Sequence, residues 1–238
     1  MNIAIVFAGG TGQRMKSKTR PKQFLELHGK PIIIFTLELF ERHPEIDQII
    51  VPCVAGWESY LEDLLIRWHI TKVKKIVTGG KDTQESKMNA LNYIATYAKD
   101  DDIIMLHDAV RPVIDAELIS ANLESVRKYG NAVSAVPFTE TGIVSKDRET
   151  TTETIVRNTL FIAKAPQSFY FKDVYAAHKA GETMDPKITI DTCSLMTTLG
   201  IALHMVPCSS SNIKITTPED FFIFRALNDM RESEEIMG

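Results

Sequence analysis

The chain has 238 residues, 44% of them apolar, with 27 Lys plus Arg set against 31 Asp plus Glu. That length and apolar content suffice to bury a sizeable core and exclude a disordered chain. The slightly acidic balance gives no global positive field, so neither nucleic acid nor a membrane surface is an expected partner.

The opening run in MNIAIVFAGG is too short to span a bilayer and has no positive segment before it. It reads as a first strand, and the expected location is the cytoplasm. Cys53, Cys193 and Cys208 are few, far apart and odd in number, so neither a disulfide framework nor a zinc site is indicated.

Short β-rich runs then alternate with helical patterns: IAIVFA, PIIIFTLELFERH, IDQIIVPC, GWESYLEDLLIRWHI, VKKIVT, TQESKMNALNYIATYA and DIIMLH. This alternation predicts an α/β fold, a Rossmann-like and mainly parallel sheet with helices on both faces. A helix ELISANLESVRKYG, closed by Gly130, leads to a strand AVSAVPF. Between residues 138 and 160 the chain turns polar, with β-branched residues on either side of SKDRET. That pattern predicts an inserted β-hairpin arm with little core of its own, which pairing across a two-fold axis would stabilise. Beyond it lie KAPQSFYF, a helix near KDVYAAHKAG, a helical pattern from Asp191 to Gly200, a strand IALHMVPC and a last helix. Thr217 as N-cap, Pro218 at the first helical position, and Glu219 and Asp220 in the first turn specify that start. The expected organisation is one domain over residues 1–238, with 138–160 as a dimerisation arm.

In open parallel sheets, ligands bind beyond the carboxyl ends of the strands, which directs attention to three loops. The loop after the first strand carries Gly9, Gly10 and Gly12, whose backbone can approach phosphate closely, together with Arg14 and Lys22. The dinucleotide fingerprint fails, because these glycines run into a basic loop and Pro21 rather than a helix; the Walker A pattern is missing altogether. Cations added to a phosphate cradle suit nucleotidyl transfer, in which charge builds up on phosphorus oxygens. The loop TGGKDTQES offers backbone amides and the Ser86 hydroxyl to a base or ribose. In LHDAVRP, Asp108 emerges at a strand end, where a carboxylate can hold Mg²⁺ with substrate phosphates. Arg111 beside it suits either an ion pair that stiffens the loop or a ligand contact. Arg157 and Lys214, taken singly, would pass for surface charges.

The segments AGGTGQRM with RPKQF, HDAVRP, APQSF and NIKITTPEDF occur in this order along nearly the whole chain. Together they resemble the cytidylyltransferases that act on alditol phosphates, a group including methylerythritol 4-phosphate and ribitol 5-phosphate enzymes. The resemblance implies transfer of CMP from CTP to a sugar-alcohol phosphate, with pyrophosphate released and Mg²⁺ as cofactor. It implies that Arg14 and Lys22 stabilise the pentacoordinate phosphorus and that Arg157 and Lys214 position the acceptor phosphate. Phe7, Ala8, Gly9, Gly10, Thr11 and Gly12 would contact CTP, as would Gly80, Lys81, Asp82, Thr83, Ser86, Asp108 and Ala109. Arg111 and Thr141 would help to bind the acceptor, and the arm would cross to a partner subunit, making a homodimer. Val110 in HDAVRP and Ala8-Gly9-Gly10 are closer to the ribitol branch. Ala165 replaces a usual Thr near the acceptor, and Thr83 a usual Arg near the nucleotide. The competing class is a nucleotide-binding protein without catalysis, against which the full cation set argues.

Overall fold

The computed structural model describes residues 1–10, 20–185 and 191–237, with side chains through 233. Three runs form its centre: β1 (Asn2–Phe7), β4 (Gln48–Cys53) and β6 (Ile103–Asp108). Each is apolar almost without interruption, as a strand covered on both faces requires. β1 pairs in parallel with both β4 and β6, and β5 (Val73–Thr78) extends the sheet beyond β4.

The other half is mixed. β7 (Asn131–Pro137) is separated from β6 by β10 (Phe161–Tyr170), which runs antiparallel to both. β11 (Met205–Pro207) closes that edge in parallel with β7, giving the order β11-β7-β10-β6-β1-β4-β5. A short hairpin of β2 (Glu26–Leu27) and β3 (Lys30–Pro31) lies apart, as does the arm hairpin of β8 (Ile143–Val144) and β9 (Glu153–Thr154). The predicted arm hairpin is therefore present, with strands of two residues each. The edge strand expected over 201–208 shrinks to Met205–Pro207, because pairing with β7 stops there.

Alternation along the strands distributes the core. Ala4, Val6, Ile49, Val51, Ile103 and Met105 point to one face, packed with residues of α1 (Ile32–Arg42), α2 (Glu58–Arg67) and α4 (Ala116–Tyr129). Ile3, Ile5, Ile50, Ile104 and Leu106 point to the other, against α3 (Thr83–Ile94), α5 (Phe171–Gly181) and α6 (Thr192–Thr198). Gly130 closes α4 in the left-handed region at φ 88°, as its place in the sequence requires. The last helix, α7 (Pro218–Met237), starts where predicted: the Thr217 hydroxyl accepts from the Asp220 amide, and Asp220 accepts from the Thr216 and Thr217 amides. Among the described residues no helix is long and apolar enough to cross a membrane.

One buried side chain ties three helices together near the site. His178 of α5 is fully buried; its Nδ1 lies 2.7 Å from Gln84 Oε1 on α3, and the Thr192 hydroxyl on α6 lies 3.1 Å from its Nε2. Burial, aided by the nearby Lys87 charge, pushes the imidazole down from 6.5 to about 3, so it stays neutral in the fold. The unfolded chain therefore takes up a proton near pH 6.5 that the fold refuses. Stability from this group is complete above that pH and is lost as the pH falls toward 3. Its share of the loss at pH 5 is about 2 kcal/mol, from a slope of about 1.4 kcal/mol per pH unit. We expect His178→Gln to melt with a shallower dependence on pH between 7 and 5 than the parent. Parallel losses in the two proteins would assign the acid sensitivity elsewhere.

Candidate active site

The site forms where β1 and β6 end side by side. Phe7 pairs with Asp108 across these strands, and the Ala109 amide continues the ladder by donating to Phe7 O at 3.0 Å. Asp108 ends β6 as its first residue that is not buried, its side chain 25% exposed. Lys214 Nζ donates to its Oδ1 at 2.8 Å, and Arg111 Nε to its Oδ2 at 2.9 Å. Burial would raise the carboxyl, but these two cations hold it well below the usual carboxylate range. Arg111 also donates to Asn212 O at 3.0 Å, so it acts as the loop-stiffening partner and joins LHDAVRP to the segment before α7.

That segment is pinned by Ile215. Its side chain is fully buried in a third apolar cluster with Leu27, Ile32, Val110, Val113 and Phe224. Its amide donates to Val110 O at 2.9 Å, and its carbonyl accepts from Lys22 Nζ at 3.0 Å. One residue therefore fixes Lys214 over Asp108 and holds Lys22, which opens a 3-10 turn (Lys22–Phe24). Gln23, next in that turn, is buried and donates to Ala8 O, securing the turn to the end of β1.

The loop after β5 supplies the opposite wall. Asp82 caps α3 by accepting from the Glu85 amide at 2.8 Å, and Glu85 accepts in return from the Lys81 amide at 2.8 Å. Ser86 donates to Asp82 O at 2.8 Å and accepts from the Gly80 amide at 2.9 Å. The Ser86 hydroxyl, expected to read the ligand, shapes the loop through these two bonds and also borders the cavity. Two glycines are required by close packing: a Cβ on Gly79 would meet Cys53 O at 2.9 Å, and one on Gly80 would meet Glu85 Cβ at 2.4 Å.

Two cavities result. The larger, about 540 Å³, is lined by Phe7, Gly9, Gly10, Lys22, the segment from Gly79 to Thr83, Ser86, Asp108 and Lys214, among others. The smaller, about 220 Å³, lies toward β10 and α6 and takes in Lys87, Arg111, Lys164, Ala165, Gln167 and Asp191. Phe7, Thr83, Asp108 and Lys214 line both, so the cavities meet at the lysine-held carboxylate.

Most expected nucleotide contacts fall on the larger cavity, but not all. Ala8 and Ala109 line neither cavity and are 2% and 0% exposed, their backbones committed to Pro52, Val54, Phe7 and Thr36. Thr11, Gly12 and Arg14 lie outside the described residues. Arg157 and Thr141 come together on the arm, Arg157 donating to the Thr141 hydroxyl at 3.3 Å, but neither lines the two cavities. His107 is a core residue, buried with its ring 5.2 Å from that of Phe40; burial pushes it down to about 4.

Sequence reasoning passed over Lys87, Lys164, Gln167 and Asp191, which all line the smaller cavity. Lysine within an amphipathic helix reads as solvated, and only the antiparallel insertion of β10 beside β6 brings Lys164 and Gln167 there. For Mg²⁺, no cluster of three or more His, Cys, Asp or Glu suited to a metal exists among the described residues. The donor set fits an ion carried mainly by substrate phosphates. Asp108 is charged, borders the larger cavity and has given only two of its roughly four acceptor sites to Lys214 and Arg111.

Comparison with known proteins places this geometry. The family model IspD, 2-C-methyl-D-erythritol 4-phosphate cytidylyltransferase, matches residues 2–228. A protein of Streptococcus agalactiae serotype V named ribitol-5-phosphate cytidylyltransferase is 43% identical over 238 residues, covering 100% of this chain and 99% of the relative. One of the same name from Vibrio parahaemolyticus is also 43% identical, with 100% of both chains covered. The crystal structure of 4-diphosphocytidyl-2C-methyl-D-erythritol synthase from Anaerococcus prevotii superposes with a TM-score of 0.81 at 25% identity, over 96% of each chain. With both cavities inside the matched span, the chain belongs to the IspD family of cytidylyltransferases and is a nucleotidyltransferase.

Proposed function

We propose that this enzyme transfers CMP from CTP to D-ribitol 5-phosphate, giving CDP-ribitol and pyrophosphate with Mg²⁺ as cofactor. The observation that carries the reading is the shared wall of the two cavities at Phe7, Thr83, Asp108 and Lys214. Two substrates seated on either side of that wall meet at one point. Ribitol is preferred over methylerythritol as acceptor because the relatives at 43% identity bear the ribitol name, whereas the methylerythritol structure is 25% identical.

In this reading CTP occupies the larger cavity, with its phosphates toward Gly9, Gly10 and Lys22. The acceptor occupies the smaller one. An oxygen of the acceptor phosphate attacks the α-phosphorus of CTP, the bond from that phosphorus to the bridging oxygen breaks, and pyrophosphate leaves with the bond electrons. The attacking phosphate is already anionic, so no general base is needed. The protein contributes positioning and positive charge. Lys22, braced by Ile215 O, faces the phosphorus in transfer with Arg14, and Lys214 brings the two phosphates together. When bound, Mg²⁺ neutralises the triphosphate, with Asp108 the carboxylate at hand.

Arg157 and Thr141 serve the neighbouring subunit. Their absence from both cavities of their own chain supports this, as do the exposed apolar side chains Ile143, Val156, Phe161 and Ile162 around them. A homodimer through residues 138–160 would cover those side chains. The location is taken to be the cytoplasm, where CTP is available.

The direct test is pyrophosphate release with CTP and Mg²⁺ across ribitol 5-phosphate, methylerythritol 4-phosphate and glycerol 3-phosphate. Ribitol 5-phosphate is expected to give the highest kcat/KM; a preference for methylerythritol 4-phosphate would reverse the choice of acceptor. Lys22→Ala should retain CTP binding by calorimetry and lose on the order of 10²-fold in kcat, the worth of a donor acting in the transition state. Unchanged turnover would remove Lys22 from that role.

Subunit crossing predicts complementation. Inactive Arg157→Ala and Lys22→Ala dimers, mixed and allowed to exchange subunits, should recover about a quarter of the parental rate, because half the dimers become mixed and each has one intact site. No recovery after demonstrated exchange would place Arg157 in its own subunit's site, and a monomer by sedimentation would remove the arm's role.

A further inference from the structure

Asn212 stands two residues before Lys214 in the segment that leads to α7, and it is only 1% exposed. It lines neither cavity of the site, yet it holds three residues that line the smaller one. Its carbonyl oxygen accepts from Arg111 Nη1 at 3.0 Å and from Lys164 Nζ at 2.9 Å, and its side-chain Nδ2 donates to Ala165 O at 2.7 Å. Its Oδ1 has no hydrogen-bond partner among the described residues. A buried amide oxygen left unpaired weakens a fold, so what this side chain contributes is the bond from Nδ2.

The carbonyl brings two like charges together. Lys164 comes from β10, and its other partner is Ser210 O at 3.1 Å, again a neutral carbonyl. Burial, and then the Arg111 charge, push the Lys164 amine down, so holding both cations on one oxygen works against stability. An anion beside them reverses that cost. The lining of the smaller cavity carries Lys87, Arg111, Lys164 and Lys214 against Asp108 and Asp191, an excess of two positive charges. A phosphate monoester, with a second pKa near 6, carries close to two negative charges at neutral pH.

We propose that Asn212 is a positioning residue of the acceptor site: by tying its own peptide to Ala165, it holds Arg111 and Lys164 together for the acceptor's phosphate. Lys164 thereby joins Lys214 as a cation that binds this phosphate. The inference rests on the acceptor occupying the smaller cavity, as assigned above. None of the hydrogen-bond partners of Asn212 lines the larger cavity, so the nucleotide half of the reaction is left alone.

The test is steady-state kinetics of Asn212→Leu, which keeps the branched outline and removes both polar amide atoms, with ribitol 5-phosphate and glycerol 3-phosphate as acceptors. The acceptor KM should rise roughly tenfold for both, since they share the phosphate, while the KM for CTP stays within about twofold. Melting should shift by no more than about 4 °C, because one hydrogen bond and one unpaired oxygen are lost together. Lys164→Met removes one of the held cations and should raise the acceptor KM similarly. The double variant should fall short of the product of the two single effects, because Asn212 acts through Lys164. If Asn212→Leu does not fold, Asn212→Ser takes its place in the same comparison. An unchanged acceptor KM, a loss confined to ribitol 5-phosphate, an equal rise for CTP or a fully multiplicative double variant would overturn the assignment. An unmutated enzyme that releases no pyrophosphate with any alditol phosphate would instead defeat the functional reading on which it rests.

Discussion

The arrangement of this site depends on one carboxylate between two cations. Asp108 leaves the end of β6 as an anion, and Lys214 and Arg111 hold it so from opposite oxygens. These bonds draw together segments more than 100 residues apart, since Lys214 precedes α7 and Arg111 also grips Asn212. Partly buried ion pairs of this kind often add little net stability, but leaving one partner alone is expensive. The pairing therefore defines geometry: with Asp108 fixed, the boundary between the two cavities is fixed as well.

The rest of the fold supplies the frame for that boundary. Three parallel strands, apolar on both faces, place the Phe7 and Asp108 ends in register, and Ile215 locks the last loop over them through one amide and one carbonyl. Insertion of β10 antiparallel between β6 and β7 then closes the far side, bringing Ala165 and Gln167 to the smaller cavity. In the proposed reading nucleotide recognition falls to loops at the ends of parallel strands, and acceptor recognition to the antiparallel half of the sheet.

Much of this was legible in the residues. Six-residue apolar runs separated by amphipathic stretches are local patterns, and VKKIVT became β5 over the predicted residues. The glycine loop and Asp108 were identifiable because glycines and charges at strand ends have few structural uses, whereas Lys214, singly no more than a surface charge, was marked by the resemblance that NIKITTPEDF carries. What escaped depends on distant parts of the chain. FIAKAPQSFY, with a lysine and a proline in its middle, carries no alternation that reveals its place between β6 and β7. Lys87 went unmarked because α3 is only weakly amphipathic and does not show which of its positions is buried; its burial follows from how α3 packs beside α5. Ser86 was recognised as part of the site, but which partner its hydroxyl would choose was settled by the turn from Gly80 to Asp82.

The account stands on two substrates meeting across the Asp108 wall. A crystal structure of the enzyme with the product CDP-ribitol measures this directly. It should show cytidine in the larger cavity, the ribitol chain in the smaller one, and the diphosphate between Lys22 and Lys214. Cytidine and ribitol lying together in one cavity, with the other filled only by solvent, would contradict it.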